Sequence, residues 1–285
     1  MQQRPGGSCD VMKIETDDQS RKTVEPLLSV VMAARNESKY VAVAIESIVS
    51  QTYPNWELIV IDDGSIDNTP DILERYSKQD SRITWMRNSH SQGLAASLNR
   101  GIRMARAAII VRADADDLNL PSRFEEQLRY LSDHPEVDFV GTGAILMSED
   151  GEEIREFFLP FEHDDIKKIA YKNTCFFHPS VAMRKSALEK TGLYDEGYIR
   201  AQDKELWLRG LRVGCRYANI PKPLIRYRMT ERSKSLKTTW ETARSLARMG
   251  VRYQIKYWWL SLSLFLARQL IIKMRLYQPR SQVRR

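Results

Sequence analysis

Short apolar segments alternate with amphipathic segments through the first half of the chain. Four segments, of which the third is the weakest, have the apolar character of buried strands: 27–34, 56–61, 82–86 and 109–113. Between them, apolar residues recur at helical spacing, as at Val41, Ile45 and Ile48. Four such alternations within about 90 residues are typical of a parallel, doubly wound sheet. The sequence therefore predicts an α/β fold with helices on both faces of the sheet.

The pattern changes after Pro135. A strand-like segment at 137–147 is followed by the turn Glu149-Asp150-Gly151, which predicts a β-hairpin. Helical spacing predicts further helices at 163–171 and 204–213. Two closing edge strands are expected at Tyr217 and 224–227.

The fourth predicted strand ends in the acidic segment Asp114-Ala115-Asp116-Asp117. Ligands of open α/β sheets bind outside the carboxyl ends of the strands. Clustered carboxylates repel one another, and their pKa values rise unless a cation lies among them. Divalent cations such as Mg²⁺ prefer oxygen ligands and often join carboxylates to substrate phosphates. Asp114 and Asp116 therefore predict a metal–nucleotide site; the alternative is a solvated acidic turn that caps the next helix.

Polar residues also follow the first and second predicted strands. Ala34 leads into Arg35-Asn36-Glu37, and Asp62-Asp63 lead into Gly64-Ser65. In a doubly wound sheet these strand ends share one rim with the acidic segment, where polar side chains can bind a base and a ribose. Alternatively, Asn36 is only a helix cap and the second segment only a tight turn. Three such features at one edge favour a single site.

Four residues of the second half are further candidates, and three of them have a structural alternative. Asp203 precedes a helical stretch, so it is either a catalytic carboxylate or an N-cap. Trp207 and Gln202 lie beside it, and Trp207 is either a substrate contact or a core anchor. His178, next to Pro179, is either a structural histidine or a weak substrate contact.

Six of these segments occur in a recognisable order. They are LLSVVMAARNE, IVIDDGSIDNT, GLAASLNRGI, RADADD, HPSVAMR and QDKELW, and they span roughly residues 27–230. In this order the chain resembles an inverting glycosyltransferase of family 2 with a GT-A fold, a Rossmann-like, mostly parallel sheet with helices on both faces. The motifs are highly specific together, although none is specific alone.

The resemblance implies a role for each candidate residue. The implied nucleotide-binding residues are Ala34, Asn36, Glu37, Asp62, Asp63 and Asp114, with the base recognised by one of the two adjacent aspartates. Asp116 would bind Mn²⁺ or Mg²⁺, and Asp203 would be the catalytic base. Two positions depart from the common pattern. Gln202 replaces a Glu, and Thr230 stands where many relatives have a His, which puts a third protein ligand to the metal in doubt.

The resemblance also implies a reaction. A sugar would move from a nucleotide sugar, a UDP-sugar, to a glycan or glycolipid acceptor of surface polysaccharide or lipopolysaccharide synthesis. The metal would neutralise the diphosphate leaving group while a carboxylate takes the acceptor proton, with inversion. Two alternatives are open. A sugar nucleotidyltransferase would need a Gly- and Lys/Arg-rich loop after the first strand. The segment at that position, AARNES at 33–38, is not rich in these residues. A non-catalytic adaptor would tolerate loss of Asp203, which is present.

Charge is distributed unevenly along the chain. From Arg226 to the end there are 15 Lys and Arg against two Glu, whereas the preceding part has 29 against 35 acidic residues. A slightly acidic body with a basic tail is not typical of a nucleic-acid-binding fold. Residues 1–26 are polar and predict a disordered lead-in. Three widely spaced cysteines favour a reducing, cytoplasmic compartment.

Residues 231–285 predict a basic, amphipathic helical extension. Arg244, Arg248, Arg252 and Lys256 recur every four residues, and residues 257–267 carry no charge. Arg268 interrupts this apolar stretch too early for a membrane-spanning helix. Its tryptophans and the neighbouring basic residues predict an interfacial helix at the inner face of a membrane. The alternative is an amphipathic helix docked on the catalytic domain.

Overall fold

The computed structural model describes residues 27–230 and 236–253, together with 262–263 and 266–267. Its strands are Leu28–Ala34 (β1), Trp56–Asp62 (β2), Ile83–Arg87 (β3), Ile109–Asp114 (β4), Leu118–Asn119 (β5), Phe139–Met147 (β6), Glu153–Phe157 (β7), Ala182–Arg184 (β8) and Tyr217–Arg228 (β9). Its α-helices are Val41–Val49 (α1), Thr69–Gln79 (α2), Leu94–Met104 (α3), Arg123–Asp133 (α4), His163–Ala170 (α5), Lys185–Thr191 (α6), Gln202–Arg212 (α7) and Leu236–Arg252 (α8). A 3₁₀ turn covers His178–Ser180.

The first half of the chain forms the predicted parallel sheet. Strands β3, β2, β1 and β4 are neighbours in that order and run parallel. Alternate residues of β1 belong to two hydrophobic clusters, one on each face, with α1, α2 and α4 on one side and α3, α5, α6 and α7 on the other. Ala34 lies opposite Asp62, and Ala33 lies opposite Asp114. The carboxyl ends of three strands therefore meet at one edge, as predicted.

The second half of the chain extends the same sheet. Strand β8 pairs antiparallel with β4 and with β6, and β6 continues to β9. The predicted hairpin is present, because β7 pairs antiparallel with β6. Gly151, in the turn between them, has φ +93°, a conformation that glycine adopts at little cost. The α/β fold class is confirmed.

Three local predictions differ from the structure. The closing strands are one strand, β9, which lies between β6 and β5 rather than at an edge. Its prolines, Pro221 and Pro223, interrupt the sequence pattern, and the structure accommodates them where the register with β6 shifts. Leu118–Asn119, for which the sequence predicts no strand, pairs with β9 as β5. Strand β8 was not expected, because three residues are too few to show a period.

Helix α8 is docked beside α7 and the segment that precedes it. Met249 and Ala243 are buried, and Met249 belongs to the hydrophobic cluster that also contains α7. The Arg248 guanidinium donates a hydrogen bond to the carbonyl of Gly197 at 2.9 Å, and Arg252 forms an ion pair with Asp195 at 2.5 Å. These contacts favour the docked alternative for the described part of the tail.

The membrane-surface prediction concerns mainly residues 254–285, which lie largely outside the described residues. Within the described part, no helix combines the length and apolar character needed to cross a membrane. The domain boundaries at residues 26 and 230 stay predictions.

Candidate active site

A cleft of about 1190 Å³ opens at the carboxyl ends of β1, β2 and β4. We call its two walls the polar side and the aromatic side. The polar side is formed by Ala34, Glu37, Asp63, Asp114 and Asp116. The aromatic side is formed by Phe157, Leu159, Phe176, Phe177 and Ile199. Gln202 and Asp203 also line the cleft, so most of the predicted site residues meet in one cavity.

The acidic segment at the end of β4 is a candidate cation site. One carboxylate oxygen from each of Asp114, Asp116 and Asp117 lies within 4.8 Å of the others. Burial, and then the charge of Asp114, raise the pKa of Asp116 to about 6. Burial and the charges of both neighbours raise the pKa of Asp117 well above its ordinary value. Carboxylates that repel one another in this way fit a divalent cation.

Asp117 is the member of this cluster that the sequence reasoning did not assign. Its Oδ1 accepts a hydrogen bond from the backbone N–H of Arg228 at 2.7 Å. Its Oδ2 is buried and has no hydrogen-bond partner among the described residues. An unpaired buried carboxylate oxygen is costly, so this atom also suits a metal ion. In the sequence, its position directly after Asp116 is the feature that could have assigned it to the cluster.

Asp63 orders the loop that leads into α3. Its carboxylate is buried and accepts hydrogen bonds from Asn88 Nδ2, Ser91 Oγ, Gln92 N, Gly93 N and Ser97 Oγ, at 2.7–3.0 Å. Burial alone would raise the pKa of Asp63, but these hydrogen bonds lower it to about 2. The residue is therefore an anion that holds loop 88–93 against the polar side of the cleft. Gly93, which ends the loop, has φ +94°.

Asp62 and Asn36 do not line the cleft. The Asp62 carboxylate is fully buried and pairs with the Arg87 guanidinium at 3.1 Å. Asn36 Oδ1 accepts a hydrogen bond from the backbone N–H of Ile66 at 2.9 Å, and Asn36 itself has φ +54°. Both residues thus shape the turns behind the polar side. Of the two adjacent aspartates, Asp63 is the one that reaches the cavity.

Asp203 lies in the first turn of α7, on the wall of the cleft. The residue before that helix is Ala201, which has the left-handed φ of 55°. Asp203 is therefore inside the helix rather than its N-cap. Burial raises the pKa of Asp203, although backbone N–H groups of the helix terminus act in the opposite direction. A carboxylate with a raised pKa at the wall of a cleft is suited to accepting a proton.

His178 and Trp207 differ in their access to the cleft. His178 lines it, and its Nε2 lies 2.7 Å from the hydroxyl of Tyr194. Burial and the nearby charge of Arg112 lower the pKa of His178 well below its ordinary value, so the ring is neutral. Trp207 is buried, with its ring 5.2–5.4 Å from those of Phe139 and Phe176. Trp207 is therefore a core anchor and not a substrate contact. Helix α7 directs its side chain towards the hydrophobic cluster.

The comparison with known families agrees with this geometry. The sequence model described as Glycosyl transferase family 2 matches residues 29–192. The chain belongs to this family.

This glycosyltransferase is similar in sequence to curated relatives and in fold to solved structures. It is 35% identical over 210 residues to the O-antigen biosynthesis glycosyltransferase WbnJ of Escherichia coli, covering 73% of this chain and 81% of WbnJ. The crystal structure of S. aureus TarS 1–349 with UDP-GlcNAc has a TM-score of 0.62 and 16% identity, over 78% of this chain and 66% of that one. Against another TarS crystal structure, this chain covers only 39% of the neighbour. The mannosyltransferase PcManGT of Pyrobaculum calidifontis, in complex with GDP-Man and Mn²⁺, has a TM-score of 0.61 and 21% identity, over 81% and 65%. At these identities the structures establish the GT-A fold alone.

Arg228 closes the glycosyltransferase cleft from the end of β9. Its Nε donates to the carbonyl of Asp116 at 2.8 Å, and its guanidinium lies 4.5 Å from the centre of the Tyr40 ring. Thr230, two residues later, also lines the cleft. Strand β9 thereby holds the acidic segment in place. The sequence reasoning missed this role, because nothing in the sequence predicts that β9 reaches β5.

Proposed function

We propose that this glycosyltransferase moves a sugar from a UDP-sugar to a hydroxyl of a glycan or lipid-linked glycan, with inversion and with the help of Mn²⁺ or Mg²⁺. The observation that carries the proposal is that Asp203 and the cluster of Asp114, Asp116 and Asp117 line one cleft. A proton acceptor and a cation site in one cavity are the two parts that this reaction needs.

The polar side would bind the donor. Asp63, loop 88–93, Ala34 and Glu37 would contact the base and the ribose. Asp116 and Asp117, with Asp114, would hold the metal ion, which acts as a Lewis acid on the diphosphate leaving group. The fold is compatible with such ligands, since TarS and PcManGT are solved with UDP-GlcNAc and with GDP-Man and Mn²⁺.

Asp203 would take the proton of the acceptor hydroxyl. Burial raises the pKa of this carboxyl, which increases its basicity as a proton acceptor. Attack on the anomeric carbon from the face opposite the diphosphate inverts its configuration, and the positive charge that develops there is stabilised by the surrounding carboxylates. In this assignment Asp203 acts as a base and forms no covalent bond to the sugar.

The aromatic side would receive the acceptor. The Phe177 ring packs edge-on against Phe157 and lies 5.5 Å from Tyr227, which gives an apolar wall next to Asp203. Sugar rings present apolar faces that pack on aromatic rings. Since the relative WbnJ is described as acting in O-antigen biosynthesis, we propose an acceptor of surface polysaccharide or lipopolysaccharide synthesis. Such an acceptor would place the enzyme at the cytoplasmic face of the membrane.

A donor screen tests this proposal. The full chain is incubated with UDP-hexoses, UDP-N-acetylhexosamines and GDP-mannose in the presence of Mn²⁺, and released nucleoside diphosphate is measured with the Asp203→Asn variant as control. We expect release of UDP that requires Asp203. Release of pyrophosphate instead would indicate the nucleotidyltransferase alternative. Membership of glycosyltransferase family 2 makes that alternative the less favoured one. No turnover with any donor or acceptor would favour the non-catalytic sugar-nucleotide or membrane adaptor.

A further inference from the structure

Arg112 is a buried arginine whose side-chain donors are only partly paired within the described residues. It lies on β4, two residues before Asp114, and is 2% exposed. Its Nε and Nη1 atoms have no hydrogen-bond partner among the described residues, whereas its Nη2 forms an ion pair with Asp114 Oδ1 at 2.5 Å. Because an arginine stays charged when it is buried, such a group calls for acceptors that the protein itself does not supply.

A second buried arginine shows what the fold does when an arginine is purely structural. Arg123, on α4, is fully buried as well. Its Nε donates to Gln127 at 3.0 Å, its Nη1 donates to Asn119, and its Nη2 donates to the carbonyl of Arg112 at 2.9 Å. Every side-chain nitrogen of Arg123 thus has a partner, whereas Arg112, which lines the cleft, has none at Nε and Nη1 among the described residues.

The surroundings of Arg112 locate it within the cleft. It pairs with Asp114, a member of the acidic cluster. It lines the same cleft as Asp203 and His178, and its positive charge acts to lower the pKa values of both. The guanidinium therefore shares one cavity with the groups assigned to the leaving diphosphate and with the group assigned to the proton.

In a sugar transfer the atoms between a leaving diphosphate and the catalytic base belong to the transferred sugar. We propose that Arg112 binds the sugar being transferred, donating hydrogen bonds to its ring hydroxyl oxygens, and that it thereby selects the donor. The proposal rests on the function proposed above. The planar fork of the guanidinium fits two adjacent oxygens, a geometry that lysine does not reproduce.

The test compares the sugar with the nucleotide. Binding of UDP alone and of the UDP-sugar that the donor screen selects is measured by calorimetry with Mn²⁺, for the wild type and for Arg112→Lys, which keeps the charge beside Asp114. We expect the UDP affinity to stay within about twofold, while the affinity and the kcat/KM for the UDP-sugar fall roughly ten- to hundredfold. Analogues of that donor lacking single hydroxyls should then bind the variant as well as the parent sugar does.

An equal loss of affinity for UDP and the UDP-sugar would overturn the proposal and assign Arg112 to the diphosphate. Thermal melts with Arg112→Lys, Arg112→Gln and the comparator Arg123→Lys separate binding from folding. Unfolding of both Arg112 variants would make this residue structural, like Arg123, and would also overturn the proposal. If the wild type binds no nucleotide sugar at all, the proposed function itself fails. If it binds one and Arg112→Lys binds equally, only this inference fails.

Discussion

The two sides of the cleft are built in different ways. The polar side comes from the ends of adjacent parallel strands, where residues such as Ala34 and Asp114 are fixed by the register of the sheet. The aromatic side combines the end of β7, the segment before β8 and the segment before α7, which are distant in sequence. The positions on the polar side are thus set by the register of one sheet, whereas the aromatic side is assembled from separate segments. We therefore expect substitutions on the two sides to affect donor and acceptor separately.

The largest effect should come from Asp203, which lines the cleft together with residues of both sides. Asp203→Asn removes the proton acceptor while it preserves the shape of the side chain. We expect the turnover rate to fall roughly 10²- to 10⁴-fold, with the Kd for UDP unchanged. Steady-state kinetics and calorimetry provide the two measurements. Normal turnover by this variant would reduce Asp203 to a structural residue of α7.

A smaller loss should follow from weakening the polar side alone. Asp116→Asn leaves Asp114 and Asp117 to hold the cation, so we expect weaker Mn²⁺ binding and about a 10²-fold drop in turnover at limiting metal. The fold should persist, because Asp116 lies in a loop after β4. Turnover is measured against Mn²⁺ concentration, with excess EDTA as control. Full wild-type activity in EDTA would refute the metal role.

The aromatic side should respond through the acceptor only. Phe177→Ala removes a ring that packs against Phe157 and Tyr227, so transfer to the acceptor should slow roughly five- to tenfold. Hydrolysis of the donor by water should not change. Phe161→Ala is a matched control, since Phe161 is exposed and contacts Phe158 outside the wall of the cleft. Equal effects of the two variants would contradict the division of the cleft into two sides.

The smallest effect concerns stability. The folded-state pKa of Asp63 is about 2, below its ordinary value of 3.8, so its contribution to stability is complete above pH 4 and is lost as the pH falls towards 2. Asp63→Asn should therefore lower Tm by a few degrees at pH 6 and should lose less of its stability on acidification than the wild type. Melts between pH 6 and 2.5 measure this, with the exposed Asp133→Asn as control. Parallel pH profiles for wild type and Asp63→Asn would show that the hydrogen bonds of Asp63 add nothing.

The sequence predicts the polar side better than the aromatic side for a physical reason. A buried parallel strand has a clear apolar run, and its end marks the position of polar residues such as Asp63 and Asp114. The pairing of β9 with β5 has no such local signal, because prolines interrupt one strand and the other has two residues. For the same reason, the contact between Arg228 and the acidic segment could not be foreseen. A sequence pattern also cannot distinguish Asp62 from Asp63, since only the turn geometry decides which side chain enters the cavity.

Helix α8 links the tail of the chain mechanically to the catalytic segment. Arg248 donates a hydrogen bond to Gly197, and Arg252 pairs with Asp195, a few positions before Asp203. The hydroxyl of Tyr253 donates a hydrogen bond to Glu205, in the first turn of α7. The contacts of α8 and the adjacent Tyr253 therefore lie on both sides of Asp203 in the sequence, at residues 195–197 and at Glu205. We expect a substitution that displaces α8 to disturb the position of Asp203 as well.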